Sequence, residues 1–325
     1  MYQAADMHCD TITRLRRRRL GGENIRLRDS DMMVSLEKMR AGNYLLQNFA
    51  MFVYLEEGAD PLLRVLEFID EYYAQIGENR DLIAPVYTFS DIEKNRAAGK
   101  MSAMLTVEEG GVCKGSIEVL RDLYRLGVRM MTLTWNFENE IGYPHTMKPQ
   151  PGQSLGLKPR GIELVREMNR LGMIVDVSHL GDQGFWDVVK YTEGPFVASH
   201  SNARGVCGHS RNMTDDMIRA LADKGGVMGL NLCADFLAKR NGGSLEQMIR
   251  HLRHIKNVGG VEVLGLGTDF DGIDNTPEIP DAAAMPRLAE AMERAGFTGD
   301  EIDKVFSGNV LRVYRECLKD GGQIG

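Results

Sequence analysis

Eight short β-type runs punctuate the chain, and amphipathic helical patterns separate them. The runs are Ala4–Cys9, Tyr44–Tyr54, Met101–Val107, Val128–Thr134, Met173–Val177, Pro195–Ser199, Gly226–Leu232 and Val263–Thr268. Between them, Pro61–Ile76 places apolar residues at three- and four-residue steps. Ser116–Leu126 and Gly161–Leu171 each stop at a glycine, Gly127 and Gly172. Asp215–Ala222 and Leu245–Asn257 continue the alternation. Strands that alternate with helices read as βαβ units with a parallel sheet. Eight units in 325 residues allow about 41 residues each, which suits a (β/α)8 TIM barrel with long loops. A second domain would need a linker, and none stands out, so residues 1–325 are expected to form one α/β domain. The longest irregular stretch, Asn136–Arg160, follows a strand and is rich in Pro and Gly. A lid or a substrate wall is expected there.

Composition narrows the partners. Asp and Glu outnumber Lys and Arg, 46 to 39, for a net charge of −7. That balance argues against a nucleic-acid backbone as the main partner. No apolar run approaches the ~18 residues of a membrane span. The N-terminal M-Y-Q-A-A-D-M-H-C-D lacks the pattern of a secretory signal, and the C-terminal K-D-G-G-Q-I-G lacks an apolar anchor tail. A cytoplasmic protein without a membrane anchor is the expectation. The five Cys are widely spaced with no C-x-x-C, which reads as reduced thiols. The basic run Arg16–Arg19 reads as a solvated helix end or loop in preference to an anion site.

The polar residues at the ends of the runs carry the chemistry, because parallel barrels gather active groups at the C-terminal ends of their strands. The first run ends in His8-Cys9-Asp10. Strand period two puts His8 and Asp10 on one face and Cys9 on the other, as a core thiol. The third run ends in Val107-Glu108-Glu109-Gly110-Gly111. Adjacent side chains diverge, so one of Glu108 and Glu109 is expected to point inward. The fifth and sixth runs end in Val177-Ser178-His179 and Ser199-His200-Ser201, and the eighth in Thr268-Asp269-Phe270-Asp271-Gly272. One such His is ordinarily a hydrogen-bonded structural residue, but the whole set on five strand ends points to a metal site. Its N/O donors suit Zn²⁺, Mn²⁺ or Co²⁺. One bridging carboxylate would divide the ligands as His8, Asp10 and Glu108 on one ion, and Glu108, His179 and His200 on the other. Two ions can hold a hydroxide between them, and Asp269 would be the acid or base beside it.

These residues resemble a known family. D-M-H-C-D-T, V-E-E-G-G, D-V-S-H, S-H-S-N-A-R-G-V-C-G-H-S-R-N-M-T-D-D and G-T-D-F-D-G look like the motifs of the membrane (renal) dipeptidases, peptidase family M19, within the metal-dependent amidohydrolase barrels. They occur in family order and extend to G-N-V-L-R-V-Y at residues 308–314. The resemblance implies a (β/α)8 barrel with two zinc ions per subunit. It matches His8 and Asp10 to the family's first-strand ligands and His179 and His200 to its later metal histidines. Counting without a gap from the shared V-L-R places Glu108 at the bridging position. The resemblance also implies that Asp269 handles the proton and that Arg211 grips the substrate's C-terminal carboxylate, a role suited to a guanidinium fork. The implied reaction is dipeptide hydrolysis by a metal-bridging hydroxide. Family members are often dimers, so a homodimer is among the expectations.

Two departures stand out. Mammalian members carry a His after the fourth strand to polarise the scissile carbonyl, and here Trp135 occupies that place. His145 in the long loop is a candidate substitute, weighed against a plain surface histidine. The mammalian leader and lipid-anchor signal are also not seen. The alternative activity is hydrolysis of lactones, cyclic amides or N-acyl amino acids. Related barrels with those activities use H-x-H and a carboxylated Lys after the fourth strand, where this chain has H-x-D and Trp135-Asn136.

Overall fold

The structure, a computed structural model, describes residues 2–56, 58, 60–240 and 242–319. Most of the C-terminal K-D-G-G-Q-I-G therefore lies outside the described residues. The strands are β1 (Ala4–Asp6), β2 (Tyr44–Phe52), β3 (Ile83–Pro85), β4 (Met101–Glu108), β5 (Met130–Thr132), β6 (Ile174–Asp176), β7 (Val197–Ala198), β8 (Val227–Leu230) and β9 (Leu264–Leu266). All pair in parallel, in the order β2-β1-β9-β8-β7-β6-β5-β4-β3, and a β2–β4 pairing closes the ring. The closed part has eight strands with helices between them, one (β/α)8 barrel. Each of the eight β-type runs contains one barrel strand.

β3 is the strand the pattern did not reveal, being three residues of I-A-P. It pairs with the first residues of β4, Ile83 opposite Met101, while β5 pairs further along, Thr106 opposite Met130. The five helical patterns become Pro61–Glu78, Ile117–Arg125, Pro159–Leu171, Asp215–Asp223 and Leu245–Gly259. Their signals are local: Asp60, Ser116, Thr214 and Ser244 each accept a backbone N–H of the first turn, and Gly172 ends its helix at φ 78°.

The strand residues are buried on both faces. Ala5, Met104, Met130, Ile174, Val197 and Val227 form an apolar plug at the N-terminal ends of the strands, completed by Val310, Val313 and Tyr314 of the last helix. That end is filled with hydrocarbon, so the polar strand ends are gathered at the opposite mouth. The strands also approach closely there. A Cβ on Gly267 would stand 1.7 Å from the Ser199 carbonyl oxygen, and one on Gly229 2.0 Å from the same atom.

The arginine run lies in the helix Thr11–Leu20 and is absorbed within the chain. Arg18 pairs with Glu23 and Asp31, Arg19 with Glu71, and Arg16 with Glu67. All five cysteines are free. No helix among the described residues is long and apolar enough to cross a membrane.

Candidate metal centre

His8, Glu108, His179, His200 and Asp269 all lie at or just beyond the C-terminal ends of barrel strands. The chain bends sharply to aim two of them: His179 and Asp269 have φ of 67° and 62°, a left-handed conformation that costs a non-glycine residue about 1 kcal/mol or more. Glu108 ends β4 and sits between two groups of ligand types. Its Oε2 is 3.3 Å from His8 Nε2, while its Oε1 is 3.1 Å from His179 Nε2 and 3.5 Å from His200 Nε2. Asp10 Oδ2 is 3.4 Å and Asp269 Oδ1 3.9 Å from His8 Nε2. The rings of His8 and His200 stack with centroids 3.8 Å apart. A cavity of about 660 Å³ opens onto the cluster, bounded by Asp10, Glu108, Trp135, Asn136, His179 and Asp269. That is room for a small ligand.

Buried carboxylates hold the strand ends in place. Asp176 accepts the backbone N–H groups of Ser178 and Ser199 and the hydroxyls of Thr132 and Ser199. Because the Ser199 hydroxyl donates to Asp176, its oxygen is left to accept from His200 Nδ1 at 2.7 Å, and Nε2 keeps its lone pair. Asp6 does the same service for β9, accepting the N–H and hydroxyl of Thr268 and the N–H of His8. Asn231 donates to Asp269 Oδ2 at 2.9 Å. Sequence reasoning passed over Asp6, Asp176 and Asn231. The available signal was an Asp inside an apolar run, two or three residues before a His.

Electrostatics follow from burial. His179 and His200 are pushed well below the ordinary imidazole range by burial, with Arg211 adding to it, so both are neutral. Burial opposes charge on His8 too, but Glu108 and Asp10 outweigh it and hold it well above its usual value. The Asp269 carboxyl is pushed up to about 7 by burial, with Asp10 and Glu108 reinforcing and His8 opposing. Arg211 is buried, with Nη1 on Ser201 Oγ at 3.2 Å, Nη2 on the His200 carbonyl at 3.0 Å, and Nε without a partner. It is not among the residues that bound the cavity.

The neighbouring candidates separate cleanly. Cys9 faces away, its thiol on the Asn48 carbonyl at 3.4 Å, and burial raises it well above the range of a thiolate ligand. Glu109 points away from Glu108. Its carboxylate takes the N–H groups of Gly111 and Trp135 and the amide of Asn139, fixing the start of the long loop. That loop is tied to the barrel mouth, Pro144 bridging Leu180 and His145 N donating to the His179 carbonyl, and of its residues only Asn136 borders the cavity. Trp135 packs with Phe52, Tyr54 and Phe137 beside His179. His145 is half-buried and is not among the residues that bound the cavity. Both ring nitrogens are occupied, Nδ1 by Ser210 Oγ at 2.8 Å and Nε2 by Asn136 Oδ1 at 3.0 Å.

The donors fit divalent cations. His8 Nε2 and Asp10 Oδ1 are buried with no hydrogen-bond partner among the described residues. His179 and His200 turn their Nε2 atoms towards each other at 3.0 Å, and a neutral pair with both lone pairs inward repels unless a cation lies close. His8, Glu108 and His200 form one group of ligand atoms within 4.8 Å of one another, and His8, Asp10 and Asp269 another. A barrel with such a mouth belongs to the metal-dependent hydrolases. More narrowly, the chain belongs to the membrane dipeptidase family, peptidase family M19, whose model matches residues 2–320. It is 35% identical over 296 residues to an uncharacterized dipeptidase of Schizosaccharomyces pombe, covering 86% of this chain and 71% of that one. It superposes on the crystal structure of an M19 metallopeptidase, dipeptidase AC, with TM-score 0.90 at 26% identity, covering 98% and 99% of the two chains. A metallopeptidase from Rhodobacter sphaeroides, solved with a phosphinate mimic of the dipeptide L-Ala-D-Ala, matches with TM-score 0.88 at 25% identity over 97% and 99%.

Proposed function

We propose that the chain is a two-metal dipeptidase, with zinc as the metal, whose ions are held by His8, Asp10, Glu108, His179 and His200. The observation that carries this reading is the Glu108 carboxylate, with one oxygen towards His8 and the other towards His179 and His200. When bound, two divalent ions polarise the substrate carbonyl and lower the pKa of water to supply a nucleophile at neutral pH. Asp176 and Ser199 keep the His200 proton on Nδ1, so that Nε2 is a ligand throughout turnover. Asp269 accepts the proton of the attacking water and returns it to the leaving amine; the Asn231 amide on Oδ2 holds its Oδ1 towards the ligands. Arg211 provides the positive charge for the substrate's C-terminal carboxylate, with its Nε still unpaired. The bound mimic in the R. sphaeroides relative supports dipeptides as the substrate class.

The test is a panel of L-L and L-D dipeptides assayed on protein whose metal content is measured in the same preparation. The expected outcome is release of free amino acids, two ions per chain, and loss of turnover on chelation that zinc restores. A fully metallated protein that cleaves no dipeptide overturns the reading.

A further inference from the structure

Asn136 follows Trp135 beyond β5, half-buried, and lines the cavity beside Glu108 and His179. Its Oδ1 lies 2.9 Å from His179 Nδ1 and 3.0 Å from His145 Nε2. An amide oxygen only accepts, so both ring nitrogens carry hydrogen. The reversed amide would aim Nδ2 at both rings and force the His179 proton onto Nε2. That is the atom 3.1 Å from Glu108, which must be bare to bind a cation. His145 agrees with the first orientation. With its proton on Nε2, its Nδ1 is free to accept from the Ser210 hydroxyl at 2.8 Å. The side chain is thus held by its oxygen from two sides. Its NH₂ group donates to nothing among the described residues, and the residue lines the cavity.

We propose that Asn136 Nδ2 is the hydrogen-bond donor to the scissile carbonyl oxygen, and so a catalytic residue of the reaction proposed above, on which this inference rests. The donor takes the place of the imidazole that Trp135 excludes, one position along the chain. It stabilises the negative charge that develops on the carbonyl oxygen without transferring a proton, and it needs no reorganisation because His179 and His145 hold the amide still. His145 is then a positioning residue, reaching the reaction through Asn136.

The test uses Asn136→Ala and Asn136→Asp in the full chain. Aspartate keeps an oxygen for both histidines and replaces the donor with a second acceptor. Three quantities are measured: metal content, kcat and KM on the best dipeptide, and affinity for a phosphinate dipeptide mimic by calorimetry. The expected result is full metal content in both variants, KM within about threefold, and kcat and phosphinate affinity each lower by about 10²–10³. Retained kcat in either variant overturns the proposal. So does a loss of activity that tracks loss of metal in both, which would make Asn136 only a support for His179. A kcat loss of that size in Trp135→Phe, with Asn136→Ala unimpaired, would move the donor to the indole. Wild-type protein that cleaves no dipeptide is a separate outcome, which overturns the function and not the orientation of the amide.

Discussion

Glu108 and Glu109 are neighbours in the chain, both buried, and their tasks differ because Glu108 ends β4 whereas Glu109 lies just beyond it, where a backbone φ of 100° turns its side chain elsewhere. Glu108 meets three histidines, whereas Glu109 meets three N–H donors. Glu109→Ala should keep its metal but leave those donors unpaired, lowering stability by about 3 kcal/mol in urea unfolding. Unchanged stability, or lost metal, would contradict the assignment. Asp269→Asn should retain both ions and lose about 10²–10⁴ in kcat, the usual range for a positioned acid or base. Kinetics and metal analysis of one preparation separate the two effects. That one glutamate would point inward was legible from strand periodicity. Which one did not follow from the pattern of residues alone, since it depends on how β4 sits between β2 and β5.

Helices were legible where caps and amphipathic spacing coincide, as in Pro61–Glu78 and Leu245–Gly259. Short helices, and β3 with its proline, carry too few residues for a period to show. Contacts between elements are less visible still. Glu167 accepts from Arg170 in its own helix and from Arg121 of the helix Ile117–Arg125, joining two neighbours on the barrel's outer layer. Those bonds pull its carboxyl down to about 2 against the opposing effect of burial, Arg170 contributing most. The folded value lies below the unfolded one of about 4.3. The stabilisation is therefore complete above that value and is lost as pH falls towards 2. Glu167→Gln should cost about 1 kcal/mol at pH 7, because both arginines are partly in water, and only a small fraction of that near pH 2. A denaturation series in pH checks this, and a pH-independent difference would refute it.

At the scale of the whole barrel, the proposed ligands come from strands that begin near residues 4, 101, 174 and 197, Asp269 comes from the one that begins at 264, and they meet only on closure. Divalent ions held there as proposed would bind the folded chain and not the unfolded one, stabilising it by about 4 kcal/mol per site at a thousandfold excess over Kd. Chelation should accordingly lower Tm by several degrees, and zinc should restore it; an unchanged Tm would rule out strong coupling of metal to the fold.

The order of runs along the chain was enough to establish the barrel, its eight strands, the mouth that bears the chemistry and the types of donor found there. These are properties of local period and of polar residues at strand ends, and local period survives without knowledge of distant contacts. The barrel's closure decided the rest. It set which Glu108 oxygen faces which histidine, tied the long loop to Leu180 and the His179 carbonyl, and turned the Asn136 amide. Each of those outcomes depends on groups tens to hundreds of residues apart, as in the bond from Thr268 to Asp6 that joins the two ends of the barrel. Pattern along a chain cannot encode such a meeting; only the packed strands bring the partners within 3 Å.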